Sequence, residues 1–157
     1  MIKEINNESI LRECLDVIIT TYKDRDEKLK LSQENNKRHS AMTYDQLKEM
    51  YDSGIKMHGY FEQEKIIAFI SLEHRVEEIK IKDIVVLPEY QSKGIGKELL
   101  DFAKEQAIKN NKSKIILGMI YANEKLRKWY EKYGFKIKEI EEYPGTGKVA
   151  KMEYIIK

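Results

Sequence analysis

Seven consecutive residues, Gln91-Ser92-Lys93-Gly94-Ile95-Gly96-Lys97, place two glycines and two lysines directly after a β-branched run that ends at Pro88. An amphipathic helix pattern starts at once behind them. At such a junction the first helical N–H groups lack partners and the helix dipole is positive, so an anion is favoured there. Glycine allows close approach of a ligand and φ values that a Cβ obstructs. An ordinary strand–turn–helix connection uses the same residue types, so taken alone the stretch is either an anion-holding loop or a turn. It is not a Walker A loop, because Gly96-Lys97 is followed by Glu98 and residue 91 is Gln91. Nor is it a Rossmann fingerprint: Leu99 stands where a third small residue is required, and the strands before it read as a meander.

Other residues with chemical potential lie on either side. Glu73, His74, Glu78 and Asp83 fall in the strands before the loop, and histidine has an ordinary pKa suited to proton transfer near neutral pH. Downstream, Leu126, Trp129, Tyr130 and Tyr133 recur at spacings of three and four, which on spacing alone is the core stripe of a helix. Cys14 is the single cysteine, which excludes an intramolecular disulfide or a Cys-based zinc cluster; in "ILRECLDVII" it reads as a small buried hydrophobe.

The elements that must position these groups follow from periodicity. "MIKEI" alternates as a short strand, and "NESILRECLDVIITTYK" is a helix capped by Asn7 or Ser9, with a face of Ile10, Leu11, Leu15, Ile18 and Ile19. Asp24 to Met42 is polar without a period and reads as a loop or irregular helix. "TYDQLKEMYDSG" is a second helix, capped by Thr43 and ended by Gly54. Three alternating runs then make an antiparallel meander, with a tight turn at Glu62 to Lys65. After the glycine loop and its helix, "KIILGMIY" is a buried strand expected to run parallel to the one before that helix. A helix from Asn123 to Gly134 and a hairpin around "PGTGK" close the chain. The order β-α-α-β-β-β-α-β-α-β-β predicts an α/β or α+β fold, a mixed sheet with helices on both faces.

At 157 residues, with no Gly/Ser/Pro-rich linker, a single domain over residues 1–157 is expected. The 29 basic and 27 acidic residues alternate in sign, which argues against the one-sided basic face of a nucleic-acid binder. No apolar run approaches a signal peptide or a membrane span, so a soluble, cytoplasmic protein without a membrane partner is expected.

"VVLPEYQSKGIGKELL" resembles the acetyl-CoA-binding motif of the GNAT superfamily of N-acetyltransferases, Gln/Arg-x-x-Gly-x-Gly/Ala at a helix start. A second motif of that family, Asn followed seven residues later by Tyr and then Gly-Phe, is matched by Asn123, Tyr130, Gly134 and Phe135. The resemblance covers nearly the whole chain and is most specific between about Lys82 and Phe135. It implies a mostly antiparallel seven-stranded sheet and transfer of acetyl from acetyl-CoA to a primary amine by direct attack in a ternary complex. The cofactor pyrophosphate would lie on Gln91, Ser92, Lys93, Gly94, Ile95, Gly96 and Lys97. The pantetheine arm would run along the main chain of Ile84, Val85 and Val86, with Asn123 as a further ligand. Tyr130 would be both a cofactor contact and the general acid that protonates the departing thiolate.

The general base is less determined. Some GNAT members carry a Glu on the strand five residues before the motif Asn; the matching residue here is Gly118. Others use a carboxylate on the strand before the glycine loop, which points first to Asp83 and also to Glu73, Glu78 or His74. The final hairpin loosely resembles an acceptor-lining hairpin, giving Tyr143, with Glu73, as substrate contacts; Glu139, Glu141 and Glu142 would attract a cationic amine there. The acceptor is a small-molecule or peptide amine, no metal is implied, and the chain is a monomer or homodimer. Because Gly118 removes one carboxylate, a non-catalytic acyl-CoA-binding module is the competing expectation.

Overall fold

A computed structural model describes residues 1–29, 41–145 and 147–157. Seven strands among them form one sheet: β1 (Ile2–Glu4), β2 (Lys56–Glu62), β3 (Lys65–His74), β4 (Glu78–Val86), β5 (Lys114–Ile120), β6 (Lys136–Tyr143) and β7 (Gly147–Ile155). Their spatial order is β1-β2-β3-β4-β5-β7-β6, and only β4 and β5 are parallel. The crossover between those two strands is α3 (Ile95–Lys109), as a parallel connection requires. The remaining helices are α1 (Leu11–Lys28), α2 (Tyr44–Asp52) and α4 (Glu124–Tyr133). The predicted element order and the mixed, mostly antiparallel sheet are both present.

β3 is buried from Ile66 to Leu72 without alternation, because helices cover both faces of the sheet there. α1 packs on one face against β3 and β4, and α3 packs on the other. α4 joins α3 on that second face: Trp129 lies over Gly96, and the Tyr133 hydroxyl donates to Asp101 at 2.7 Å.

α1 departs from the expected helix in two respects. Its buried residues are Leu11, Cys14, Val17, Ile18 and Thr21, so the packed stripe is rotated away from Leu15 and Ile19 toward Cys14. Burial, with the Glu13 charge adding to it, pushes the Cys14 thiol up to about 12, which leaves it protonated and inert. The helix also continues through Asp24–Lys28, the start of the stretch expected to be a loop or irregular helix. Asp26 is buried and held by its neighbour Arg25 at 2.7 Å, and Lys28 pairs with Asp24 one turn back, so the polar run has local ion-pair support. Within that stretch, residues 30–40 lie outside the described residues. Thr43 and Gln46 form a reciprocal capping box at α2.

His58 of β2 is buried against Phe102, and its Nδ1 has no partner among the described residues. Burial holds its pKa below the ordinary value, opposed by Glu4 and reinforced by His74 and Lys56. A depressed folded-state pKa means the unfolded chain binds the proton more readily. The stabilisation is therefore present above about pH 6.5 and lost as pH falls through the lower folded value. Melting temperatures at about pH 7.5 and 5.5 should fall less steeply for His58→Gln than for the parent; equal slopes would place the acid sensitivity elsewhere.

No helix among the described residues is long and apolar enough to cross a membrane.

Candidate active site

The parallel ladder between β4 and β5 is short. Its register runs Glu78↔Lys114, Ile79↔Ile115 and Lys80↔Ile116, and then the strands part. β4 stays paired with β3 as far as Val86↔Ala68, and β5 stays paired with β7 as far as Ile120↔Val149. Each strand is therefore held on its outer edge while its inner edge faces a gap. Lys82 is the extra residue of a β-bulge against Ser71 and Leu72, and a bulge bends its strand and increases the local twist. The Leu87 N–H donates to the Ile67 carbonyl at 2.9 Å. Main-chain groups alternate in direction along an antiparallel strand, so those of Val85 face β3 and those of Ile84 and Val86 face the gap.

The glycine loop lies at the mouth of this gap. The Gln91 side-chain amide donates to the Val86 carbonyl at 2.8 Å and ties the loop to the strand end. Gly94 has φ +86 and a Cβ there would meet nothing within 4 Å, so only backbone conformation demands glycine. Gly96 answers a different demand: it has no positive φ, but its Cβ would sit 3.2 Å from the Trp129 ring, so glycine lets α3 and α4 approach. α2 and α4 begin with side-chain caps from Thr43 and Asn123, whereas Gly94 leaves the first N–H groups of α3 without one. Lys97 is engaged by Asp101 at 2.9 Å, and Lys93 lies 5.5 Å from the centre of the Tyr90 ring.

The gap opens into a cleft of about 610 Å³ that reaches from α1 on one face to α4 on the other. Tyr22 and Arg25 of α1, Ile84 of β4, Gly118 of β5, Asn123, Leu126 and Tyr130 of α4 and Tyr143 of β6 contribute to its walls. Asn123 accepts the Leu126 N–H at 3.3 Å and so both caps α4 and borders the cleft. Tyr130 is 3% exposed and packs against Trp129 and Phe135. None of the described residues hydrogen-bonds its hydroxyl, and burial pushes the phenol well above its ordinary pKa. It is thus a firmly protonated donor directed into the cleft region, and a weaker acid than an exposed tyrosine.

Asp83 is 1% exposed and is not part of the cleft surface. The Ser71 hydroxyl donates to its Oδ2 at 3.0 Å and the Tyr22 hydroxyl to its Oδ1 at 3.2 Å. Tyr22 does border the cleft, with the Arg25 guanidinium 4.5 Å from its ring centre. Burial raises the Tyr22 phenol first and the Asp83 charge raises it further, while Arg25 opposes both. Asp83 therefore reaches the cleft through Tyr22.

Residues 22–155 match the family model for the acetyltransferase (GNAT) domain. The chain belongs to the GNAT acetyltransferase family. Solved structures share its fold at low identity. The PaiA N-acetyltransferase from Thermoplasma acidophilum, in complex with coenzyme A, is 22% identical over 99% of each chain, with a TM-score of 0.77. The ribosomal-protein-S18-alanine N-acetyltransferase from Escherichia coli is 17% identical over 100% of this chain and 94% of that one, TM-score 0.79. A GNAT family acetyltransferase from Elizabethkingia anophelis with acetyl-CoA bound is 22% identical over 70% of this chain and 82% of that one, TM-score 0.63.

In this GNAT chain the cleft gathers Tyr130, Asn123, Ile84 and Tyr143 as expected from sequence, and leaves other candidates outside. Glu73 does not border it and is bound by Arg75 at 2.7 Å; burial opposes, but the Arg75 guanidinium keeps its carboxyl below the usual range. His74 is exposed at the end of β3. Glu78 borders the cleft but is shared between Arg75 at 3.2 Å and Lys114 at 3.9 Å. The acidic mouth expected from Glu139, Glu141 and Glu142 is partly compensated, since Lys151 lies 3.8 Å and 2.9 Å from the first two and Tyr143 donates to Glu141. Tyr22 and Arg25 escaped the sequence reading. The available signal was weak: Tyr22 falls four residues after Ile18 on the packed stripe of α1, with a polar tip at the stripe's end.

Proposed function

We propose that the chain is an N-acetyltransferase using acetyl-CoA as acyl donor and a primary amine as acceptor, reacting in a ternary complex. The observation that carries this reading is the parting of β4 and β5 after Lys80↔Ile116, between an uncapped α3 N-terminus and Tyr130. The residues present fit the donor. Free N–H groups at the start of α3 suit a pyrophosphate, and the inward main-chain groups of Ile84 and Val86 suit the amides of a pantetheine arm. Bound acetyl-CoA supplies an activated thioester to the cleft.

The chain's residues then have separable tasks. An inward N–H of Ile84 or Val86 donates to the thioester oxygen as negative charge develops there. The amine nitrogen bonds to the acyl carbon, the carbon–sulfur bond breaks, and Tyr130 donates its proton to the leaving sulfur. The amine's surplus proton passes to the Tyr22 oxygen as the Tyr22 proton moves to Asp83, which makes Asp83 the base and Tyr22 its conduit. Asn123 borders the cleft as a further contact to the donor, and Tyr143 borders the acceptor's approach.

Isothermal titration with acetyl-CoA should give a dissociation constant of about 10 µM or tighter, roughly −7 kcal/mol. A panel of small amines and N-terminal peptides should then release free CoA. No binding at that level would sink the reading; binding without turnover across the panel would instead make this a non-catalytic acyl-CoA-binding module.

A further inference from the structure

The chain as a whole is nearly balanced in charge, yet its cleft is not. Seven lysines and arginines border it against three glutamates. Several of these cations are compensated: Lys114 by Glu153 at 3.3 Å, Lys151 by Glu141 at 2.9 Å, Arg75 by Glu73 at 2.7 Å. Lys80, Lys82 and Lys138 have no carboxylate within ion-pair distance among the described residues. Lys80 and Lys82 are moreover half-buried. Burial lowers the Lys80 pKa, the Lys82 and Arg75 charges lower it further, and only Glu73 opposes them. Half-burying an ammonium beside other cations is unfavourable unless an anion arrives.

There is room for one. Gly118 leaves the cleft floor bare, with Val149 alone near a Cβ position, at 3.5 Å, and its cross-strand partner is Lys151. The location also separates this cluster from the donor's phosphates. Lys80 lies at the closed end of the β4–β5 gap, and the glycine loop lies beyond Val86 at the other end. Lys82 and Lys80 are two and four residues from Ile84, roughly 7 and 13 Å along an extended strand. An acceptor that reaches both points is compact.

We propose that Lys80, Lys82 and Lys138 bind a carboxylate or phosphate on the acceptor, so that the cleft selects compact primary amines that are themselves anionic. This rests on the acetyl-transfer reading above for the amine, but not for the anion site. The anion site is tested first without turnover. Inorganic phosphate and succinate are titrated into CoA-saturated protein at low ionic strength, with the Lys80→Gln/Lys82→Gln variant in parallel and its fold checked by circular dichroism. At least one probe should bind, and the variant should bind it at least about tenfold more weakly. No binding by either probe, or equal binding by the variant, overturns the proposal. A parallel loss of acetyl-CoA affinity would assign the lysines to the donor and overturn it as well.

Matched acceptors supply the second arm: O-phosphoethanolamine against ethanolamine, and β-alanine against β-alaninamide. The anionic member of at least one pair should have a kcat/KM about tenfold or more above its neutral partner, and the variant should erase that ratio. The pair that responds distinguishes phosphate from carboxylate. Preference for both neutral partners defeats the proposal. Absence of CoA release with any amine defeats the transfer reading, while the phosphate and succinate titrations still decide the anion site.

Discussion

Tyr130→Phe should lower kcat by about 10² to 10³, equivalent to roughly 3–4 kcal/mol of barrier, with little change in acetyl-CoA affinity. The substitution removes one oxygen and leaves the ring contacts with Trp129 and Phe135 in place. Because no described residue hydrogen-bonds that hydroxyl, no protein group is left unsatisfied. The loss should therefore appear in chemistry and not in stability. Burial keeps the phenol protonated well past neutrality, so Tyr130 should contribute no alkaline limb to the rate below about pH 10. The same burial makes the proton transfer to an ordinary thiolate uphill, and a hydrogen bond to the leaving sulfur must form before the proton moves. Unchanged turnover under conditions where chemistry is rate-limiting would remove Tyr130 from the mechanism while leaving the family assignment intact.

Asp83→Asn should cost about 10²-fold in kcat/KM. The replacement is close to isosteric and still accepts one hydrogen bond at a site where Ser71 and Tyr22 both donate. Some destabilisation is expected, because one buried donor loses its acceptor, so melting temperature must be measured alongside rate. Tyr22→Phe keeps the carboxylate but cuts its path to the cleft. If the two residues act as one relay, the double variant should be no slower than the worse single variant. A variant Asp83→Asn that is less stable yet retains the parent's kcat/KM would mean that the carboxylate only fastens α1 to β4.

Much of this site was legible from local pattern. The glycine loop, the helix behind it and the Asn123–Tyr130–Gly134 spacing are each fixed within one turn and one helix, where backbone geometry depends on near neighbours. Gly134 illustrates the limit of that reading: it ends α4 with φ +127, as a helix-terminal glycine should, but its Cβ would also sit 2.8 Å from the Tyr154 ring. Gly96 behaves alike, a motif glycine whose space is taken by Trp129. In both cases residue type was readable and half of the reason was not.

Asp83 and Glu73 show why candidate bases could not be sorted in advance. Period-two alternation assigns strand residues to faces only while the register is unbroken, and the bulge at Lys82 breaks it between Ile81 and Asp83. Glu73, also a strand carboxylate ahead of the glycine loop, is bound by Arg75 instead.

The chain's own order of residues established the element sequence, the fold family and the stretch suited to a pyrophosphate, because those depend on local spacing. Tertiary packing alone brought β7 between β5 and β6, set Tyr22 against Asp83, and gathered uncompensated lysines from β4 and β6 around a bare glycine floor. Charges that alternate harmlessly along the sequence become a predominantly basic surface only when strands distant in the chain lie side by side.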